Sequence, residues 1–544
     1  MADLVQDGNV SGRSAPAEGQ RGWCARNERW VVLALIAAGA AIRLVSQAFV
    51  GYEGPAGLGG LYLEFSRQII EHGYQLPSQV PFYTDGGIPY AYPPGPFYVQ
   101  AILVNGLGVP AFVTVNLLPA ALSVMGLPLF YLLVRKLRLS ARTRVLAMAA
   151  FAVCPSAFVE QIQAAGGPEA MGTLAMILLF LAMLHWRDRG TYGAAILVGL
   201  GWAFCILSSP GSAYASVPVS LAFLAAGLLA RRGWRRPHVW ISAVIVGAVA
   251  LAASSPYWLA VMLHHGPGVF TATASAEGGG PLKMIGRGML YLGLIPSACG
   301  GRFTAMPTLL VVAGIGWTIV NRRLWPWAAL VLVSMVPREN TWLVSVPGLI
   351  LAAIGLGEVV WPMTVAAGKP LRRMAGAALK GGVAALIVFT SAANLYVAFR
   401  EDVVWRPTVD REALGAMEWA RNNTPDSARF IVIAHRHVLE WSPQIMRRTV
   451  LNVPYGAEWK PKLRKTLLEL LPKWEELKSF AQIQHISTSV FGHEEVYVLL
   501  GQAKLREMFA TSEPADVSVQ RLWENDEYAI IRIRPAESGP RPVR

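Results

Sequence analysis

Apolar runs separated by short polar connections dominate the chain, near residues 29–50, 109–134, 142–162, 166–186, 191–209, 211–230, 237–260, 305–321, 323–337, 342–362 and 378–398. A helix needs about 20 apolar residues to cross a bilayer, so the pattern predicts a polytopic α-helical membrane protein with about eleven crossings. Residues 88–108 break the rhythm. There the Pro-rich loop Ile-Pro-Tyr-Ala-Tyr-Pro-Pro-Gly-Pro enters an apolar stretch of about fourteen residues, roughly 21 Å of helix against the ~30 Å of a hydrocarbon core. The stretch reads as a half-embedded helix at the outer face. An outer loop with acids that dips back to the membrane suits an enzyme acting on a lipid-borne substrate, and a simple anchor has no use for it.

After about residue 400 the pattern turns polar and mixed. Strand-like runs at Ala428–Ala434, Glu495–Leu500 and Tyr528–Ile533 alternate with helical patterns near 410–422 and 460–481, which predicts an α/β domain over 400–544, large enough for its own core. The first residues, 1–28, are rich in Gly, Ser, Ala and charge, lack a signal-peptide apolar region and read as a disordered cytoplasmic tail.

Charge sets the expected sidedness. Arg135, Lys136, Arg138, Arg142 and Arg144, then Arg231, Arg232, Arg235 and Arg236, then Arg322 and Arg323, then Lys369, Arg372 and Arg373 all fall in short loops. With Met1 inside, every one of these clusters lies on the cytoplasmic face, and loops 51–108, 163–166, 261–304 and 338–341 lie outside, provided 94–108 does not cross. Counting 94–108 as a full span would reverse each later basic loop. Eleven crossings then put the C-terminal domain outside the cell or in a lumen. A prokaryotic plasma membrane is the expected location.

Composition agrees with this class and removes others. The 544 residues are 54% hydrophobic and 15% charged, with mean hydropathy +0.41. The net charge of +14 is explained by the basic inner loops, so a nucleic-acid partner is not called for. Cys24, Cys154, Cys205 and Cys299 are scattered, with no metal-ligand spacing. No Walker loop, no GxGxxG after a strand and no GxSxG occurs, which leaves nucleotide and serine-hydrolase chemistry without a motif. No residue pattern demands a cofactor; a divalent metal is compatible with the chemistry below but is not required by it.

A few polar residues stand where the membrane pattern does not need them. Leu61, Phe65 and Ile69 recur at helical spacing with Glu64, Arg67 and Glu71 on another face, which predicts an amphipathic helix over 58–72 lying in the outer interface. Its ion pairs are read as structural. Arg43 lies roughly 10 Å inside the first span, where a charge is costly unless it snorkels or finds a partner. Arg338, in Val-Pro-Arg-Glu-Asn-Thr, breaks the charge rule at an outer end and can grip a phosphate or pair with Glu339. Glu169 follows Gly-Gly-Pro at a helix start, where a carboxylate also complements the helix dipole. Glu53 leaves the first span in a Gly/Pro turn and is either functional or merely solvated. His264 and His265 close the seventh span without metal spacing.

Two segments resemble a known family. Tyr62-Leu-Glu-Phe-Ser-Arg is similar to the Tyr-x-Glu-x-x-Arg helix, and Tyr92-Pro-Pro-Gly-Pro-Phe-Tyr to the Pro-Pro-Leu-Tyr segment, of the GT-C superfamily of integral-membrane glycosyltransferases. The likeness is to the branch of protein O-mannosyltransferases and lipid A aminoarabinose transferases and covers about residues 30–400. It departs at Leu58 and Gly59, where that branch usually carries Asp-Glu. No Trp-Trp-Asp-Tyr-Gly is present, which argues against an oligosaccharyltransferase catalytic subunit. The resemblance implies an inverting transfer of sugar from a polyprenyl-phosphate donor to an extracytoplasmic glycan, lipid or protein. It also implies a division of roles. Glu53 is the preferred base, with Glu169 in support and Asp85 as a further carboxylate; Arg43, Arg338 and Lys283 are on the phosphate side. Tyr62, Tyr92 and His265 fall to sugar or acceptor, and Trp441 or Trp459 can stack on sugar or pack a core. The rival readings are a transporter or flippase, which predicts repeats that are not seen, and a non-catalytic binder of lipid-linked glycans.

Overall fold

The computed structural model describes residues 23–48, 57–229, 237–270, 305–321, 341–366, scattered positions between 385 and 400, 409–511 and 517–536. Glu53, Lys283, Arg338, the span 323–337 and most of 378–398 lie outside the described residues. Elsewhere the apolar runs are helices. They are α1 (Trp23–Ala48), α4 (Ala111–Lys136), α5 (Ala141–Val153), α6 (Gly167–Arg189), α7 (Tyr192–Ser208), α8 (Pro210–Leu229) and α9 (Pro237–His265), then Ala305–Val320 and Thr341–Ile354, with α2 (Gly60–Glu71) and α3 (Gly95–Ala101) between the first two. Among the described residues, Ala111–Lys136, Ala164–Arg189, Pro237–His265 and Leu343–Met363 are long and apolar enough to cross a membrane.

Two expected boundaries move. α1 starts at Trp23, inside the stretch read as a disordered tail. Glu28 helps to hold that end, accepting from Arg144 Nε at 2.6 Å and from Tyr131 Oη at 3.0 Å. α5 stops at Val153, well short of residue 162, because Pro155 has no amide to continue the ladder. Residues 155–166 follow as turns with Phe158 and Ile162 fully buried. Irregular backbone at such a place must be satisfied by protein, and α1 supplies the donors. Arg43 donates to Phe151 O and Ala152 O, each at 2.9 Å, to Gly39 O at 3.1 Å and to Ser123 Oγ at 3.0 Å. Gln47 Nε2 donates to Ile162 O at 3.2 Å. A cation at a helix C-terminus also complements the dipole, so the buried arginine acts as the cap of α5.

The segment after the Pro-rich loop is short, as expected. α3 and a π-turn over Ile102–Gly106 together make twelve helical residues, about 18 Å of rise, too little to cross. Pro96, Phe97, Gln100 and Ala101 are buried, whereas Ile102 and Leu107 are exposed.

The C-terminal region is built on a five-stranded sheet in the order β4 (Thr449–Val450), β3 (Arg429–Ile433), β5 (Val496–Gly501), β7 (Tyr528–Pro535), β6 (Val517–Glu524). β3 runs parallel to β4 and β5, and β7 antiparallel to β5 and β6. β3 and β5 are apolar on both faces because both faces are covered. Ile431, Ile433, Val498 and Leu500 pack with the helices behind the sheet. Phe430, Val432, Tyr497 and Leu499 pack with Phe65, Ile69, Tyr83 and Phe97 of the first loop in one continuous core.

That shared core corrects the expectation for α2. The helix has buried Glu64, Ser66 and Gln68 as well as Leu61, Phe65 and Ile69, so it is enclosed and does not lie free in the interface. Phe65 and Ile69 are each fully buried, and each contributes on the order of 1.5–3 kcal/mol. The first loop also extends the sheet: a hairpin of β1 (Gln79–Val80) and β2 (Ile88–Pro89) presents Phe82–Thr84 to the edge strand β4. Val450 N donates to Phe82 O at 2.9 Å and Thr84 N to Val450 O at 3.1 Å.

Candidate functional site

A cavity of about 700 Å³ opens where the first loop, the membrane helices and the C-terminal region meet. Its floor comes from the α7–α8 junction and from α9, through Tyr214, Ser254, Tyr257 and Trp258. Its first-loop wall is Leu58–Gly59, Leu61–Tyr62 and Ala91–Pro93. Glu440 and the turn Tyr455–Gly456 with Glu458–Trp459 close it from the C-terminal side. Aromatic groups therefore dominate, and hydroxyls are placed among them. Tyr62 Oη and Tyr92 Oη are 3.2 Å apart, with rings 5.5 Å between centroids. Trp459 stands edge-on to Tyr92 at 6.2 Å and to Phe65 at 6.4 Å. Tyr257 Oη donates to Ala91 O at 2.7 Å, tying α9 to the Pro-rich loop. Rigid rings with hydroxyl tips suit a ligand with both apolar and hydroxylated faces, as a sugar has.

The turn carrying Trp459 owes its shape to Gly456. Its φ of +78° is left-handed, and a Cβ there would meet Ile88 Cδ1 at 2.2 Å. Lys460 Nζ fastens the far end of the turn to Gly87 O at 2.6 Å.

The wall at α2 is held from 380 residues away. Glu440 Oε2 accepts from Gly59 N at 3.1 Å and Gly60 N at 3.0 Å, and Oε1 from Leu61 N at 2.9 Å. Trp441 Nε1 donates to Gly57 O at 2.8 Å. The helix Arg436–Met446 comes so close that a Cβ on Gly60 would sit 3.0 Å from Glu440 O and Trp441 Cα. A Cβ on Gly59 would meet Ala164 Cβ at 3.0 Å. Burial pushes the Glu440 pKa up, while the three amides and Arg436 pull it down.

The nominated residues divide. Tyr62 and Tyr92 line the cavity together, and so does Trp459. Trp441 is fully buried against Phe112 and has a packing role. Asp85 binds the first loop to the sheet region, 3.1 Å from Arg429 Nε and 3.4 Å from His493 Nε2. His265 Nε2 is 2.6 Å from Ser78 O, fixing the end of α9 to the loop. Glu169 sits in the first turn of α6, after Pro168. Arg43 is turned into the helix packing, between the carbonyls of α5 and the rings of Phe151 and Phe158. Among the described residues on the cavity wall, the charged groups are Glu440 and Glu458. No group of three or more metal-ligating side chains occurs among the described residues.

Glu64 is an unexpected case. It is fully buried beneath the C-terminal region, accepting from Gln68 Nε2 at 2.8 Å on Oε1, while Oε2 has no hydrogen-bond partner among the described residues. Burial, outweighing Gln68 and Arg67, raises its pKa from 4.5 to about 7. The ion pairs of α2 belong instead to Glu71, 3.0 Å from both Arg67 and Arg447.

Trp459 was singled out in the sequence, but Glu440 and the rest of the turn at 455–460 were not. Gly59-Gly60 was the available signal, since two glycines before a helix allow another backbone to approach; the partner, however, lies far along the chain.

Comparison with known proteins places this geometry in context. A family model described as dolichyl-phosphate-mannose-protein mannosyltransferase matches residues 91–259, from the Pro-rich loop through most of α9. No curated protein matches the sequence significantly. Among solved structures, the oligosaccharyltransferase AglB from Archaeoglobus fulgidus, in complex with an inhibitory peptide and a dolichol-phosphate, superposes with a TM-score of 0.55 at 14% identity, over 90% of this chain and 72% of its own. ArnT from Cupriavidus metallidurans, bound to undecaprenyl phosphate, gives 0.51 at 16% identity, over 94% and 99%. The arabinofuranosyltransferase AftD from Mycobacteria gives 0.58 at 16%, over 93% and 40%. The similarity to GT-C glycosyltransferases inferred from the motifs at Tyr62 and Tyr92 thus extends to the fold of nearly the whole chain, with residues 91–259 matching the mannosyltransferase family within it.

Proposed function

We propose that this protein is a glycosyltransferase that moves a sugar from a polyprenyl-phosphate donor to an extracytoplasmic acceptor, with inversion. The observation that carries the reading is the aromatic cavity walled jointly by the first loop, α9 and the C-terminal turn. It lies in a fold shared with proteins solved with dolichol-phosphate or undecaprenyl phosphate. The C-terminal region, on the outer side by the charge pattern, supplies the wall that an acceptor would meet.

The chemistry is a single displacement. The acceptor hydroxyl attacks the anomeric carbon, the bond from that carbon to the phosphate oxygen breaks, and the hydroxyl proton passes to a carboxylate. Glu53 is the assigned base and Glu169 the supporting carboxylate. Arg338 and Lys283 are assigned to the departing lipid phosphate, where cations stabilise developing charge. Tyr62, Tyr92 and Trp459 would hold the sugar. Asp85 and Arg43, the further candidates, already have partners that account for them, Arg429 and His493 for the first and the carbonyls of α5 for the second.

The test is transfer itself. Purified protein incubated with cell-envelope extract as the source of acceptor and a panel of radiolabelled polyprenyl-phosphate sugars should release label from one lipid, and Glu53→Gln should slow release by roughly 10²–10⁴-fold, the usual contribution of a general base. A protein that binds such lipids but releases no label from any of them would overturn the transferase reading.

A further inference from the structure

Four hydrogen bonds join two consecutive residues of the C-terminal region to the backbone of Gly57–Leu61, and their arrangement is unusual for a helix start. N-caps are ordinarily local, with a side chain one to three residues upstream accepting from the first turn. Here Gly59 offers no side-chain cap, and the acceptor is a buried carboxylate from another part of the chain. Glu440 satisfies three consecutive amides at once, with both of its carboxyl oxygens accepting at the positive end of α2. The clamped backbone is itself cavity wall, and the clamp leads directly into Tyr62. Four residues before Gly57 in the sequence stands Glu53.

We propose that Glu440 is a positioning residue for the chemistry of the cavity. Its carboxylate sets the path of the first loop at Gly59–Leu61 and so determines where Gly57–Tyr62, which follows Glu53 in the sequence, is held. The C-terminal region is then part of the site's scaffold as well as its cover. This rests on the transferase reading above for the reaction it names.

The chemistry selects the variants. Glu440→Gln retains one acceptor oxygen but sets an NH₂ donor against an amide donor, so at least one of the three bonds is lost. Glu440→Asp keeps both acceptor oxygens with a shorter reach. Hydrogen exchange on the full chain in nanodiscs should show amides of 57–63 exchanging at least 10-fold faster in Glu440→Gln, with partial recovery in Glu440→Asp and unchanged protection in β3, β5 and β7. In the transfer assay kcat should fall roughly 10- to 100-fold, the scale of a small misplacement, while KM for donor stays within about twofold, the range in which donor binding counts as intact. Unchanged exchange at 57–63, or lost protection there with full kcat, would overturn the proposal. Lost protection throughout the sheet would also overturn it, assigning Glu440 to folding. If wild-type protein transfers nothing, the transferase reading fails separately, and the exchange data still decide whether Glu440 holds the loop.

Discussion

Replacing Glu64 by glutamine should stabilise the protein, and only at neutral to alkaline pH. The carboxyl is buried at the junction of α2 with the C-terminal region, has one hydrogen bond from Gln68, and has its pKa raised by burial from 4.5 to about 7. Between those values the folded chain binds more protons at this site than the unfolded chain, so its contribution is fully present below pH ~4.5 and is lost as pH rises through ~7. The difference corresponds to about 3 kcal/mol above pH 8, at 1.36 kcal/mol per pH unit. Glutamine keeps an acceptor for Gln68 and never ionises, so it avoids that penalty. His437 acts in the opposite sense: burial and neighbouring His435 lower its pKa from 6.5 to about 4, so its contribution is lost as pH falls. It is common to both proteins and cancels in their difference. Thermal unfolding in nanodiscs at pH 5.0 and 8.5 should show Glu64→Gln close to wild type at the lower pH. At the higher pH it should melt higher by several degrees, roughly 6–12 °C if the loop-and-sheet unit melts cooperatively. An equal gain at both pH values, or a loss at pH 8.5, would refute the account of a desolvated carboxyl.

Three further outcomes follow from the geometry. Arg43→Ala should lower folded yield and melting temperature, since it leaves the carbonyls at the end of α5 without donors at a cost of about 1–3 kcal/mol per buried group; Arg43→Lys should recover part of this, and a fully stable Arg43→Ala would sink the capping role. Trp459→Ala should raise KM for the sugar-bearing substrate about two- to twelvefold, the equivalent of the ~0.5–1.5 kcal/mol of an aromatic contact, with kcat little changed; steady-state kinetics on the labelled donor measure both. Asp85→Asn should leave turnover near wild type and cost under about 1 kcal/mol, because its pairs with Arg429 and His493 are half-exposed; a loss of 10²-fold or more in the transfer assay would return Asp85 to the catalytic set.

Much of the architecture is local and could be read along the chain. Apolar runs of bilayer length predict helices wherever they occur, and a run with only enough residues for about 18 Å of rise stays short, as α3 and its π-turn do. β3 and β5 were equally visible, because strands covered on both faces are apolar without interruption, and β7 was visible through its apolar run Tyr528–Ile531 ahead of Arg532. β4 has only two residues and depends on its neighbours for existence, and β6 is a half-exposed edge with a weak apolar signal. Tyr62 and Tyr92 could be nominated from their motifs. Local pattern did not reveal that α2 is enclosed, that Glu64 faces the interior, that Arg43 caps a helix broken at Pro155, or that Glu440 closes the start of α2. Each depends on a partner tens to hundreds of residues away. Hydrophobic periodicity says which face of an element is buried, but the identity of what covers that face is decided only when the sheet folds back onto the first loop.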